Sequence, residues 1–224
     1  MDQLTHAKFY ATRQHGPQMY GVIPYTHHLE ATERLLREFG PIPTGPLPTL
    51  GQSVTNRFSG ESGIVDSIMG TDVDRPAYHA RDEFGVPLGY WTADRVVRSW
   101  SDPATPDEMY VGAWLHDVIE DTDAKRRDVE EMFGERVAKL VASVTSVEGP
   151  NRKTRNALTY PIIREAGPFS VRLKLADRLS HIRNGGASVD MYRREQPDFR
   201  RSLHTPGENE DMWQALDFAF QRAS

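Results

Sequence analysis

Cysteine is missing from all 224 residues, which excludes disulfides, zinc ribbons and thiol nucleophiles. Long apolar runs are missing too. No stretch approaches the roughly 18 residues that a membrane span requires, so no membrane association is expected. The N-terminal residues MDQLTHAKFYATRQHG are polar and hold no apolar signal-peptide core, which makes a cytoplasmic location the expectation. Positive charge is short as well: 27 Lys and Arg against 32 Asp and Glu give a net charge of −5. With a pI near 5.9, the broad basic footprint of a nucleic-acid or anionic-membrane surface is excluded. A few local Arg and Lys can still hold a phosphate. What remains, 38% hydrophobic and 26% charged residues, is ordinary for a soluble globular protein. The length suits a single domain over 1–224, or such a domain carrying a large insertion. Nothing in the sequence supports a particular oligomeric state.

Strand-like alternation is absent outside the middle of the chain, and helical spacing dominates elsewhere. Helices are expected over 2–14, 25–39, 107–120, 124–133, 135–147, 152–165, 169–184, 187–203 and 209–222. In the second, Leu29, Ala31, Leu35, Leu36 and Phe39 form an apolar stripe that Gly40-Pro41 stops. The fold class is all-α, a mainly helical bundle with a Pro/Gly-rich insertion at 41–105. Loops of that length are uncommon in a compact domain unless functional or disordered. A short helix is allowed near 92–100, and the insertion reads equally as a covering lid or a surface excursion. The segment 187–224 is a C-terminal helical extension with no assigned chemistry, in which Trp213, Leu216 and Phe220 are core.

Three segments carry chemistry. The densest is His116-Asp117-Val118-Ile119-Glu120-Asp121-Thr122. On one helix, positions three and four apart share a face, so His116 lies under Glu120, and Asp117 under Glu120 and Asp121. An imidazole and three carboxylates within an apolar helix call for a cation or a substrate, since buried charges need partners. The bland alternative is a solvated helix end whose acids cap the next helix. The second segment is the helix 171–184. There Val171, Leu175, Leu179 and Ile182 make an apolar ridge, and Asp177, His181 and Asn184 a separate polar line. Arg178 or Arg183 is the expected ion partner of Asp177 if that residue is merely structural. The third is Pro24-Tyr25-Thr26-His27-His28 at the start of an apolar helix. Adjacent side chains there diverge by about 100°, so one His faces the site and the choice between the two stays open. A set of His and Asp donors suits a divalent ion of the Mn or Fe type.

The order and spacing of these segments resemble the HD-domain metal-dependent phosphohydrolases, and among them the hydrolase domain of RelA/SpoT-type enzymes and the small alarmone hydrolases. The resemblance is carried by PYTHHLEATERLL (24–36), AWLHDVIEDT (113–122), FGERVAKLVASVTSV (133–147) and KLADRLSHIRN (174–184). It implies a Mn²⁺ ion, or another divalent metal such as Fe²⁺, Co²⁺ or Mg²⁺, held by His27, His116, Asp117 and Asp177. It implies that Glu120 and Asp121 position and activate the attacking water. It implies removal of pyrophosphate from the 3′ position of ppGpp or pppGpp, a small-molecule nucleotide. Arg152, Lys153 and Arg155 are the local cation candidates for the substrate, with His181 and Asn184 beside the metal Asp. Three departures bear on the substrate. Tyr20 and Gly21 stand where the family carries basic residues, His181 stands where it commonly has Asn, and the span from His27 to His116 is longer by about sixty residues. Other readings are an HD phosphohydrolase acting on another nucleotide (a dNTP, a nucleoside monophosphate or another signalling nucleotide) and a non-catalytic nucleotide-sensing module.

Overall fold

The computed structural model describes residues 1–43, 48–69, 77–92, 96–98 (backbone alone), 104–185 and 188–223. The chain starts with α1 (Gln3–His15), then a two-residue-strand hairpin, β1 (Met19–Tyr20) and β2 (Ile23–Pro24), then α2 (Thr26–Phe39). After the insertion come α3 (Pro106–Leu115), α4 (Val118–Asp121), α5 (Arg126–Phe133), α6 (Glu135–Val144), α7 (Arg152–Glu165), α8 (Pro168–Asn184), α9 (Ser188–Leu203) and α10 (Glu210–Arg222). No helix among the described residues is long and apolar enough to cross a membrane.

The sequence's helical stripes become the interior. Leu29, Leu35 and Leu36 of α2 are 4% exposed or less, and Val171, Leu175, Leu179 and Ile182 of α8 line the facing ridge. Each such side chain contributes on the order of 1.5–3 kcal/mol by leaving water. α3 starts on a capping box, with the Thr105 hydroxyl accepting from the Glu108 N–H and the Glu108 carboxylate accepting from the Thr105 N–H. Its Gly112 lets α6 approach, since a Cβ there would sit 2.8 Å from a Leu140 methyl. Trp213, Leu216 and Phe220 of α10 are core, as their spacing implied.

The middle of the chain corrects the expectation of an irregular segment. It folds into a five-stranded antiparallel sheet: β3 (Ser53–Asn56), β4 (Ser62–Met69), β5 (Ala77–Arg81), β6 (Pro87–Thr92) and β7 (Val96–Arg98), in the order β6-β5-β4-β3-β7. The helix allowed near 92–100 is also wrong where it can be read, because Val96–Arg98 is a strand paired with β3; residues 93–95 and 99–100 lie outside the described residues. One face of the sheet buries Val54, Val65, Tyr78, Ala80 and Trp91 as a small cluster separate from the helical interior. The register of β4 against β5 shifts between Val65 and Ser67, and that of β5 against β6 between Ala80 and Arg81. Such irregularities break the simple two-residue alternation by which strands are recognised. Arg57, in the turn after β3, ties the sheet to the helices by donating to the Phe39 carbonyl and, at 2.7 Å, to Asp211. Arg172 of α8, fully buried, donates to the Phe39 and Gly40 carbonyls and to Asp211 at the same junction.

Candidate metal centre

His116 and Asp117 do not lie on a continuous helix, as their spacing had suggested. α3 ends at Leu115, the two residues form a turn, and α4 begins at Val118. The break leaves the carbonyl of Ala113 free of the helical ladder's continuation, and His116 Nδ1 meets it at 2.8 Å. A carbonyl only accepts, so Nδ1 donates its proton there and Nε2 faces the opposite way.

The partner imidazole comes from α2, and it is His28. His28 is fully buried, whereas His27 is exposed and outside the cluster, which corrects the choice of His27. Two signals point to His28. It shares a helix face with Thr32, Leu35 and Leu36, all buried, and it is the fifth and last residue of the Pro24-Tyr25-x-x-His spacing. Its Nδ1 lies 2.8 Å from Ser180 Oγ, and that hydroxyl donates to the Asp177 carbonyl, so the imidazole Nδ1–H donates to the hydroxyl. Both imidazoles are therefore fixed with Nε2 pointing inward, 3.1 Å apart.

Two carboxylates close the cluster. Asp117 Oδ2 lies 3.0 Å from His116 Nε2 and 3.3 Å from His28 Nε2; Asp177 Oδ1 lies 3.6 and 3.3 Å from the same atoms. Both carboxyls are held well below their ordinary range. Burial, the largest single influence, opposes this for both; His116 and His28 together outweigh it at Asp117, and Lys174, His116, His181 and His28 together do so at Asp177. His116 shows the reverse: against burial, Asp117 raises it to about 10. Four buried groups whose donor atoms converge, with two imidazole Nε2 atoms facing each other that become ligands once the ion displaces any proton between them, fit a divalent cation with nitrogen and oxygen ligands.

The surrounding groups are ordered. Tyr25 donates to Asp117 Oδ2 at 2.6 Å, and burial followed by the Asp117 charge keeps its phenol protonated. Lys174 bonds Asp177 Oδ2 at 2.7 Å, the role expected of Arg178 or Arg183. Arg183 pairs with Glu38 instead, and Arg178 donates to the Tyr192 carbonyl. Glu120 accepts from the Ser146 N–H at 2.9 Å, and Asp121 from Gln18 at 2.9 Å.

A cavity of about 210 Å³ opens over this cluster, lined by Glu120, Asp121, Lys174, Arg178, Tyr160 and Tyr192 among others. Arg152 also borders it, in a bidentate pair with Glu195. His181 does so too, but Lys153, Arg155 and Asn184 do not: Lys153 is exposed, and Asn184 lines a shallow hollow beside Arg34 and Glu38. The polar line on α8 therefore runs through Lys174, Asp177 and His181, one turn earlier than the spacing had placed it. None of the described residues of the insertion lines the cavity, so the covering-lid reading finds no support among them. Tyr192 and Phe199, by contrast, bring the C-terminal extension into its wall, a contribution that the sequence had not signalled. A larger hollow of about 500 Å³ borders α6 and α8, but its Arg126, Arg136 and Lys139 are each ion-paired and it holds no carboxylate or imidazole.

No family model matches the chain. Among curated proteins, it is 39% identical over 79 residues to a guanosine-3′,5′-bis(diphosphate) 3′-pyrophosphohydrolase of Aquifex aeolicus, covering 34% of this chain and 11% of that protein. It is 36% identical over 80 residues to the corresponding enzyme MESH1 of Drosophila melanogaster, covering 36% and 45%. To the bifunctional (p)ppGpp synthase/hydrolase SpoT of Escherichia coli it is 34% identical over 102 residues, covering 43% and 14%. The chain thus spans less than half the length of each of these relatives. A solved structure, described as a metazoan SpoT orthologue that hydrolyses ppGpp, superposes with a TM-score of 0.58 at 20% identity, covering 99% of this chain and 96% of that one. In sequence over 79 to 102 residues, and in fold over nearly its whole length, the chain is similar to HD-domain hydrolases of the RelA/SpoT type.

Proposed function

We propose that the protein is a metal-dependent nucleotide phosphohydrolase, with (p)ppGpp 3′-pyrophosphohydrolase as the specific activity. The observation that carries this reading is the convergence of His28 and His116 Nε2, 3.1 Å apart, on two buried carboxylates under a polar cavity. His28, His116, Asp117 and Asp177 would hold the ion; their donor set suits a Mn- or Fe-type cation, and the family resemblance makes Mn²⁺ the choice. A divalent ion there supplies Lewis-acid charge and a more acidic water. Glu120 and Asp121, at the cavity edge, accept the proton of the attacking water or orient it. Lys174 and Arg178 offset charge that develops on the phosphoryl oxygens. The Arg178 guanidinium is suited to this because it is 3% exposed and its Nε–H has no acceptor among the described residues.

A second reading, hydrolysis of another nucleotide, is favoured by one feature. Tyr20 contacts His181, at 2.7 Å, where the alarmone hydrolases carry basic residues. The test is release of phosphate and pyrophosphate by Mn²⁺-loaded protein from ppGpp, pppGpp, the four dNTPs, common NTPs and nucleoside monophosphates. Pyrophosphate from ppGpp alone is the expected result. Turnover confined to another nucleotide replaces the substrate and keeps the site, and no turnover with tight nucleotide binding leaves a sensing module.

A further inference from the structure

The hairpin β1–β2 reaches three carboxylates of the site, although the sequence presents it only as a place where basic residues are missing. Gln18 donates to Asp121, Tyr25 donates to Asp117, and Tyr20 reaches Asp177 through His181. The last connection is the most constrained. His181 Nε2 lies 3.1 Å from Asp177 Oδ1, and a carboxylate only accepts, so Nε2 carries the proton. His181 Nδ1 is then the acceptor for the Tyr20 hydroxyl at 2.7 Å. The imidazole is also held flat. It stacks on His28 with centroids 4.2 Å apart and on Tyr192 with centroids 5.2 Å apart. Gly21, at φ +62°, makes the tight turn that brings Tyr20 back over the site.

We propose that Tyr20 and His181 form a positioning pair that orients the Asp177 carboxylate from outside, and that Gln18 positions Asp121 in the same way. The hairpin sets the geometry of the site's carboxylates, and substrate contacts fall to other walls of the cavity. This inference rests on the metal reading above, because orienting Asp177 has a measurable consequence only if Asp177 is a ligand. Outer partners of ligands typically change metal affinity or activity about 10–100-fold when removed.

The experiment is a Mn²⁺ titration of the full chain, with free Mn²⁺ read by electron paramagnetic resonance, alongside the melting temperature of the metal-free protein. Tyr20→Phe keeps the ring and removes only the hydroxyl. It is expected to weaken Mn²⁺ by about 10-fold or more with the melting temperature unchanged. His181→Asn is expected to weaken it by a similar factor, and the double variant no further than His181→Asn alone, since the two act through one contact. Gln18→Leu is expected to lower kcat while leaving KM and Mn²⁺ affinity at the parent values. Unaltered Mn²⁺ affinity in Tyr20→Phe overturns the pair. Loss of Mn²⁺ in His181→Asn as complete as in Asp177→Ala makes His181 a ligand and also overturns it. Those outcomes leave the metal reading standing, whereas a parent protein that binds no Mn²⁺ removes both.

Discussion

Trp213 and Trp91 are nearly equally buried, at 1% and 5% exposure, yet they sit in different kinds of interior. Trp213 belongs to a large cluster fed by α2, α3, α6 and α7 to α10, while Trp91 shares its surroundings with four other buried residues of the sheet. The candidate metal centre lies wholly in the helical part. The comparison teaches that one chain can hold a helical bundle with a candidate metal centre and a small sheet whose interiors have no residue in common, joined at the described junction through Arg57, Arg172 and Asp211. That separation can be tested from both sides.

The largest effect belongs to the bundle. Asp117→Ala and His28→Ala are expected to abolish Mn²⁺ binding and turnover together, and His27→Ala to leave both intact, as measured by metal content and pyrophosphate release. A His27→Ala variant that loses its metal would return the ligand role to that residue. Glu120→Ala comes next. It should retain metal but lose about 10²–10⁴-fold in turnover, the range for a general acid or base; unchanged turnover removes its role. Third, Trp213→Ala and Trp91→Ala should each cost about 3–5 kcal/mol locally, but only the first should lower Mn²⁺ affinity at elevated temperature. Parallel denaturant melts and metal titrations separate the two, and loss of metal affinity in Trp91→Ala would show the interiors to be coupled.

The smallest effect concerns the junction. Against burial, the Arg172 and Arg57 guanidiniums hold the Asp211 carboxyl below its ordinary value. A carboxyl depressed in the folded state contributes stability that is complete above about pH 4 and is lost as pH falls further. The melting temperature should therefore decline below about pH 4, and Asp211→Asn should flatten part of that decline. An identical slope in the variant would assign the acid sensitivity to other depressed carboxyls, Asp117, Asp177 and Glu33 among them.

The helices were legible because each one repeats its signal. α8 shows its ridge four times over, at Val171, Leu175, Leu179 and Ile182, and α2 shows a full stripe before Gly40 ends it. The His116-Asp117 pair, Asp177, Glu120 and Asp121 were legible as residue types, and the structure does gather them. What was missed follows from geometry that spacing does not carry. The turn at His116 and Asp117 interrupts an apolar run with no proline or glycine to mark it. The strands are short, two of their registers slip, and their inward residues include Ala80 beside Tyr78 and Trp91, so no clean alternation survives. Lys174 was within reach, one turn before Asp177. Tyr192 and Phe199 were not, because their place in the cavity wall depends on how α9 folds back over α7 and α8.

The insertion leaves α2 at Phe39 and rejoins at Pro106, whereas the donors sit at the opposite ends of those helices, at His28 and His116. At about 1.5 Å per residue, each helix sets the cluster roughly 15 Å from the point where the added chain attaches. The two helices act as rigid spacers, so the connection between them can grow, shrink or acquire a fold of its own while the distance between the two imidazoles stays fixed. An enzyme built this way can gain a new surface without retuning its chemistry, and the sheet is the kind of acquisition that such a layout permits.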